Sequence, residues 1–258
     1  MILTNDNYYS LEANAEYMSV SQYKSFGRCE AAAMAEIRGE WVNPKTPALL
    51  VGSYVDAWFE GTLGDFREAN PQIFKKDGSL KADFVQAAEI VDRVQKDRWF
   101  MIYMGGKKQE IRTAELFGAP WKIKIDSLHN DKIVDLKVMR SMERIMGKSF
   151  VEHWGYDLQM AIYAAVEGND LATYLAVVTK EIPADIELIS IPKWRRTELL
   201  EEVERSMPRI LSVKSGRAEP ERCARCAYCR ATKKIERPID FELVGLSTAE
   251  RKAVFGYA

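Results

Sequence analysis

The sequence predicts an α/β fold, a mixed central sheet flanked by helices. Two observations predict it. Three strand-like runs follow one another at about 108–117, 121–127 and 132–138, and a further, mostly apolar run at 171–179 comes only after a helical stretch. The order is helices, three strands, helix, strand, then a helix and a cysteine-bearing tail, which is an α/β arrangement with a mixed sheet. The chain has 258 residues, 47% hydrophobic and 29% charged, the ordinary globular range and enough for one sizeable domain.

Residues 1–18 are polar and aromatic with no clear period. Ser19 or Ser21 caps a helix to about residue 39, broken or kinked near Gly27. Asn43, Pro44 and Pro47 mark a loop, and Leu49–Phe59 reads as a second helix ended by Gly61. Residues 81–104 read as one long amphipathic helix closed by Gly105-Gly106. After the three strand runs, 150–167 reads as helix, stopped by Gly168-Asn169-Asp170; 186–191 reads as strand and 193–213 as a charged helix. Ser247 and Glu250 form a capping box for a short final helix. The expected organisation is one domain over 1–258. It comprises an N-terminal helical segment with Cys29, a core at about 48–192, a C-terminal helix and cysteine cluster at about 193–237, and a tail over 238–258.

Several function classes lose support. No run approaches a transmembrane span, and MILTNDNYYS lacks the basic and apolar regions of a leader, so a cytoplasmic protein without a membrane partner is expected. Net charge is -1, so nucleic acid would have to be met by local patches. No G-x-S-x-G, Walker A or G-x-G-x-x-G pattern is present. His129, beside a turn and expected to be exposed, and His153 form no catalytic pair.

The chemistry concentrates in a hairpin, Trp121–Asp126 and Lys132–Lys137, with both arms alternating apolar and polar residues. A two-residue turn at Asn130-Asp131 places Asp126 opposite Asp135, and like charges so placed destabilise a strand pair. Lys137 shares the face of Asp135. Facing carboxylates beside a lysine suit a site for Mg²⁺ or Mn²⁺, although a surface salt-bridge cluster is the plainer explanation for so short a pattern. Asp56 and Glu60 lie one turn apart on an otherwise apolar helix, where buried acids need partners, with Gly52 a turn earlier on the same face. Gln159 and Tyr163 share another helix face.

Together the stretches VGSYVDAWFEG, KIKIDSLHNDKIVDLKV and YDLQMAIYAA resemble the PD-(D/E)XK nuclease superfamily, and within it the phage and prophage group similar to exodeoxyribonuclease VIII (RecE). The resemblance covers most of residues 19–235. It implies that Asp126 and Asp135 bind metal, that Lys137 activates water, and that Gln159 and Tyr163 orient the lysine or contact DNA. Asp56 stands where many relatives carry histidine; it keeps a metal-ligand role but shuttles protons less readily near neutral pH. Glu110, on the first strand, is a further candidate acid near the site.

Cys223, Cys226 and Cys229 form C-x-x-C-x-x-C, and Cys29 stands alone near the start. Such a cluster points to metal before disulfides. The segment around Cys29 resembles the first-cysteine segment of iron–sulfur nucleases such as AddB, which implies a [4Fe–4S] cluster on the four thiolates; Zn²⁺ is the rival occupant. Lys214, Arg217, Arg222, Arg225, Arg230, Lys233, Lys234 and Arg237 make this region locally basic, and Lys193, Arg195 and Arg196 surround Trp194, a candidate stacking surface for unpaired bases.

The implied function is a Mg²⁺- or Mn²⁺-dependent DNA exonuclease. It would resect duplex ends to leave single strands for an annealing protein in phage or prophage recombination, and relatives that form rings make a homo-oligomer an open expectation. A non-catalytic DNA-binding module on the same fold, and an endonuclease or RNA-acting relative, stay open.

Overall fold

Small polar residues start the helices. Ser10 accepts the Ala13 N–H at the start of α1 (Leu11–Glu16), and Ser19 accepts the Gln22 N–H at the start of α2 (Val20–Arg28). The computed structural model describes residues 1–43, 47–235 and 238–255, so Pro44 and Arg237 lie outside the described residues. The stretch without a clear period thus contains a short helix. The expected 19–39 helix is two, because Cys29 is extended (φ -167°) and separates α2 from α3 (Glu30–Ile37).

The second helix is α4 (Pro47–Glu60), followed by α5 (Leu63–Ala69). The long helix of 81–104 is also two: α6 (Ala82–Gln95) and α7 (Arg98–Tyr103), the latter begun by Asp97, whose carboxylate accepts the Phe100 N–H at 2.9 Å. Strands β1 (Glu110–Leu116) and β2 (Ala119–Ile125) form one two-stranded sheet. A bend at Asp126 separates them from β3 (Ser127–Leu128) and β4 (Lys132–Met139). A left-handed Gly155 divides α8 (Phe150–Trp154) from α9 (Tyr156–Glu167). Then come β5 (Ala172–Thr179), β6 (Ile186–Ile191), α10 (Lys193–Lys214), α11 (Ala227–Ala231) and α12 (Thr248–Phe255), the last entered through the Ser247–Glu250 capping box.

Two compact units result. One comprises Pro44–Thr113 and Ile123–Leu200. Its four-stranded sheet has the order β3-β4-β5-β6, antiparallel, parallel, antiparallel, so the sheet is mixed as expected. Val134 and Leu136 of β4, with Ala176 and Val178 of β5, pack under Tyr54 and Val55 of α4 and Phe84, Ile90 and Val94 of α6. Alternate residues of a strand face opposite ways, so Asp135 and Lys137 project from the other face, where α9 lies.

The other unit comprises Met1–Asn43, Ala114–Lys122 and Glu201–Ala258. Met18 pairs with Trp121 through two backbone hydrogen bonds, Met18 N to Pro120 O at 2.7 Å and Lys122 N to Met18 O at 2.8 Å. Two lysines are sequestered here. Lys122, 2% exposed, donates to the Tyr8 carbonyl and to Asn14 Oδ1, and Lys214 donates to the Tyr17 carbonyl at 2.8 Å and to Gln22 Oε1 at 3.2 Å. Lys214 is therefore a structural cation and not part of a phosphate-binding surface.

Burial pulls the Lys122 ammonium down to about 8, and burial with the Lys122 charge does the same to Lys214. Unfolded lysine titrates near 10.4, so between pH 8 and 10 the unfolded chain holds more protons and stability rises with pH. Burial holds the Tyr8 phenol above its ordinary range, so its opposing loss of stability begins only above that window. Urea unfolding between pH 8 and 9.5 should show a gain on the order of 1 kcal/mol per pH unit; a flat profile would contradict this reading of the two lysines.

Candidate active site

The register Ser127↔Val134 and Leu128↔Ile133, continued by one residue, sets Asp126 across from Asp135. The turn is the two-residue loop the sequence predicts, closed by His129 N–H donating to the Lys132 carbonyl at 2.9 Å. Asp126 sits at the bend, and its Oδ2 accepts the Leu136 N–H at 2.9 Å. The side chain thus takes a backbone donor of β4, which locks the carboxylate against the strand that carries Asp135.

Asp135 is 2% exposed. Its Oδ1 accepts from Gln159 Nε2 at 2.7 Å, and its Oδ2 is ion-paired with Lys137 yet receives no hydrogen bond of acceptable geometry. Lys137 also lies 4.9 Å from the Tyr156 ring centroid. Burial works against the Lys137 charge, but Asp135 and Asp126 outweigh it and hold the ammonium above its ordinary range.

A small cleft of about 10 Å³, on the scale of one water or ion, is lined by Asp56, Glu60, Lys108, Gln109, Asp126 and Leu136 among others. Burial and the charge of Asp126 push the Asp56 carboxyl well above its usual range, with Glu60 and Asp135 adding to the effect and Lys137 opposing it. Asp126 is pushed up to about 7 by burial and then by Asp135, against Lys137 and the Leu136 N–H. These acids repel one another in a desolvated place, which no packing argument requires. Asp56, Glu60 and Asp126 give the cleft three carboxylates against the one ammonium of Lys108, a hard-oxygen lining of the kind that suits a divalent cation.

Two residues of the cleft escape a reading of the sequence. Lys108 faces Asp126 and Glu60, whose charges oppose the downward pull of burial on its ammonium, and it lies 5.5 Å from the Phe59 ring centroid. Gln109 adopts φ 52° and its Nε2 reaches Asp126 Oδ1 at 3.4 Å. Gly106 places both: a Cβ there would lie 2.6 Å from the Leu128 carbonyl oxygen, so only glycine lets the 106–109 segment approach β3 so closely. The Gly105-Gly106 pair, legible only as a helix stop, is therefore also a close-approach device. Gly52, by contrast, has open space where a Cβ would go.

Other candidates have different places. Tyr163 donates to the Lys124 carbonyl at 3.0 Å, and Gln159 holds Asp135 and not the lysine. Glu110 is ion-paired with Arg112 at 2.9 Å, while its neighbour Gln109 takes the place beside Asp126. His129 is half-buried, not exposed, with Nε2 bonded to the Tyr103 carbonyl at 2.7 Å, and His153 meets Trp154 edge to face at the surface. Trp194 is 70% exposed, but Arg195 is bound to Asp157 and Glu198, and Arg196 is buried against the Leu171 carbonyl.

In the other unit, Cys29, Cys223, Cys226 and Cys229 converge, all four Sγ atoms within 4.8 Å of one another. Among the described residues no other group of histidine, cysteine or acid ligands converges so tightly.

Residues 19–232 match the family described as a PDDEXK-like domain of unknown function (DUF3799). A crystal structure of a proposed exonuclease from Eubacterium rectale is similar at 47% sequence identity with a TM-score of 0.89, over 93% of this chain and 97% of that one. No curated protein matches. No helix among the described residues is long and apolar enough to cross a membrane. A match over most of the length, joined to a mixed sheet that carries the facing acids and the lysine, places the chain in the PDDEXK-like family DUF3799 and so in the PD-(D/E)XK nuclease superfamily.

Proposed function

We propose that this protein is a divalent-metal-dependent nuclease that hydrolyses DNA phosphodiester bonds, acting as an exonuclease on duplex ends. The observation that carries the reading is the placement of Asp126 opposite Asp135 with Lys137 on the same face, an arrangement unfavourable to folding and suited to catalysis. Asp126 and Asp135, with Asp56 beside them, are the residues that would hold Mg²⁺ or Mn²⁺. When bound there, such an ion polarises a phosphoryl oxygen and makes a water more acidic.

The protein's own groups do the rest. Lys137, kept protonated by its acidic neighbours, donates hydrogen bonds to the attacking water and to charge growing on the phosphoryl oxygens. Gln159 fixes Asp135 through Oδ1, while Oδ2 is paired with Lys137. Lys108, across the cleft, offsets the charge of an incoming phosphate. Glu60 adds negative charge behind Asp56, and Glu110 stays outside this set.

Gln159→Ala should weaken activation by Mg²⁺ about 10–100-fold, the usual loss when the group orienting a metal ligand is removed. A Mg²⁺ titration of cleavage reads this directly; an unchanged midpoint would remove Gln159 from the site. The resemblance to phage and prophage exonucleases further supports a role in supplying single strands to an annealing partner. Incubation with end-labelled linear duplex, closed circular DNA and RNA tests the function. Loss of label from linear duplex alone supports the proposal, cleavage of circles marks an endonuclease, and binding without cleavage in both Mg²⁺ and Mn²⁺ marks a non-catalytic module.

A further inference from the structure

The four cysteines do not fit the [4Fe–4S] cluster that the iron–sulfur resemblance implies. Sγ of Cys29 and of Cys229 are 3.6 Å apart, those of Cys223 and Cys229 are 4.0 Å apart, and no pair exceeds 4.8 Å. One ion at about 2.3 Å from four tetrahedral sulfurs sets those sulfurs about 3.8 Å apart. A cubane cluster ties each thiolate to a different iron and spreads the four sulfurs to about 6 Å. The observed separations lie nearer the single-ion value than the cluster value.

Local backbone geometry agrees. Cys226 N–H donates to Cys223 Sγ at 3.3 Å, and Cys229 N–H donates to Cys226 Sγ at 3.4 Å, so each C-x-x-C folds back on its own first sulfur. Ala224, inside the first of them, has φ 64°, the conformation that tightens the turn. Such N–H donors stabilise thiolates that share one ion. Cys29 comes from the break between α2 and α3, and a salt bridge holds the same approach: Arg209 binds both carboxylate oxygens of Glu30 at 2.9 and 2.6 Å, and Glu30 also accepts the Glu221 N–H at 2.8 Å. No two of the sulfurs are at disulfide distance.

We propose that Cys29, Cys223, Cys226 and Cys229 form a closed, mononuclear four-thiolate site whose occupant is zinc. All four positions are taken by protein ligands, so the site is structural and carries no redox step. It joins residues 200 apart in sequence within one unit. The proposal stands apart from the nuclease reading, because metal content is measured without reference to cleavage.

Full-length protein purified anaerobically from cells supplied with both iron and zinc tests it. One zinc per chain is expected, with no absorption at about 400 nm and a single shell of four sulfurs at about 2.3 Å by X-ray absorption. Iron with metal–metal scattering, a single mononuclear iron, or protein with no stoichiometric metal would each overturn the proposal. Cys229→Ser should lose the zinc; if that variant does not fold, the wild-type measurement decides alone.

Discussion

Lys137→Ala is expected to slow cleavage of linear duplex by about 10²–10³-fold at saturating Mg²⁺, the range for removing one donor aimed at developing charge. It is also expected to destabilise the metal-free fold. The ammonium is the ion-pair partner of Asp135 and the main compensating charge for Asp126 and Asp56. Taking it away leaves desolvated carboxylates without a counter-charge, a change that costs about 3–5 kcal/mol where one partner of a buried pair is removed. Lys137→Arg should not rescue turnover, because a planar fork cannot place its charge where a compact ammonium stands against the Tyr156 ring. Saturating Mg²⁺ should restore most of the stability of the alanine variant but none of its turnover. Equal recovery of both would show that Lys137 serves only to balance charge.

Asp126→Asn should do the opposite to stability while also stopping cleavage. Burial and Asp135 push Asp126 up to about 7 in the folded chain, against about 3.9 unfolded. Between those values the folded state holds the proton more tightly. Stability is therefore full below pH 4 and falls as pH rises through 7, by a few kcal/mol in all. Asparagine cannot ionise, so the variant should show little of this loss and unfold at higher temperature than wild type at pH 8 in a chelator. Adding Mg²⁺ at about 100 times its dissociation constant should stabilise wild type by about 2.7 kcal/mol and the variant far less. Calorimetry at pH 5 and pH 8, with and without Mg²⁺, reads all of this; a variant less stable than wild type at pH 8 in chelator would contradict it. On that outcome the cluster of like charges lowers folding stability, the cost expected of a site kept for its chemistry.

The core of that site was legible because a strand has period two. The Asn130-Asp131 turn sets a register that, continued past Ser127, brings Asp126 opposite Asp135 although Asp126 itself lies at a bend, and period two puts Lys137 on the face of Asp135. The helix carrying Asp56 and Glu60 and the helix carrying Gln159 and Tyr163 were legible from spacing alone. Lys108 and Gln109 were not, since their place depends on the close approach of Gly106 to the Leu128 carbonyl and on a left-handed Gln109. Nor was the fate of the basic residues: Lys214 and Arg196 are held inside by carbonyl oxygens, which composition cannot distinguish from an exposed patch. Helix breaks at Cys29, Asp97 and Gly155 were missed or misplaced where apolar periodicity runs on across them. The triad Cys223, Cys226 and Cys229 was readable from spacing and Cys29 joined it only through the resemblance, while the distances among the four sulfurs exist only in three dimensions.

The central claim, that the Asp126–Asp135–Lys137 arrangement is a metal-dependent phosphodiesterase site, is tested most directly on duplex DNA labelled at its 5′ or 3′ ends. Wild-type protein and Asp135→Asn are compared with and without Mg²⁺. The account predicts label release by wild type only with Mg²⁺, none by the variant under either condition, and retained binding of DNA by both. Release by wild type in chelator, or undiminished release by Asp135→Asn, would contradict it.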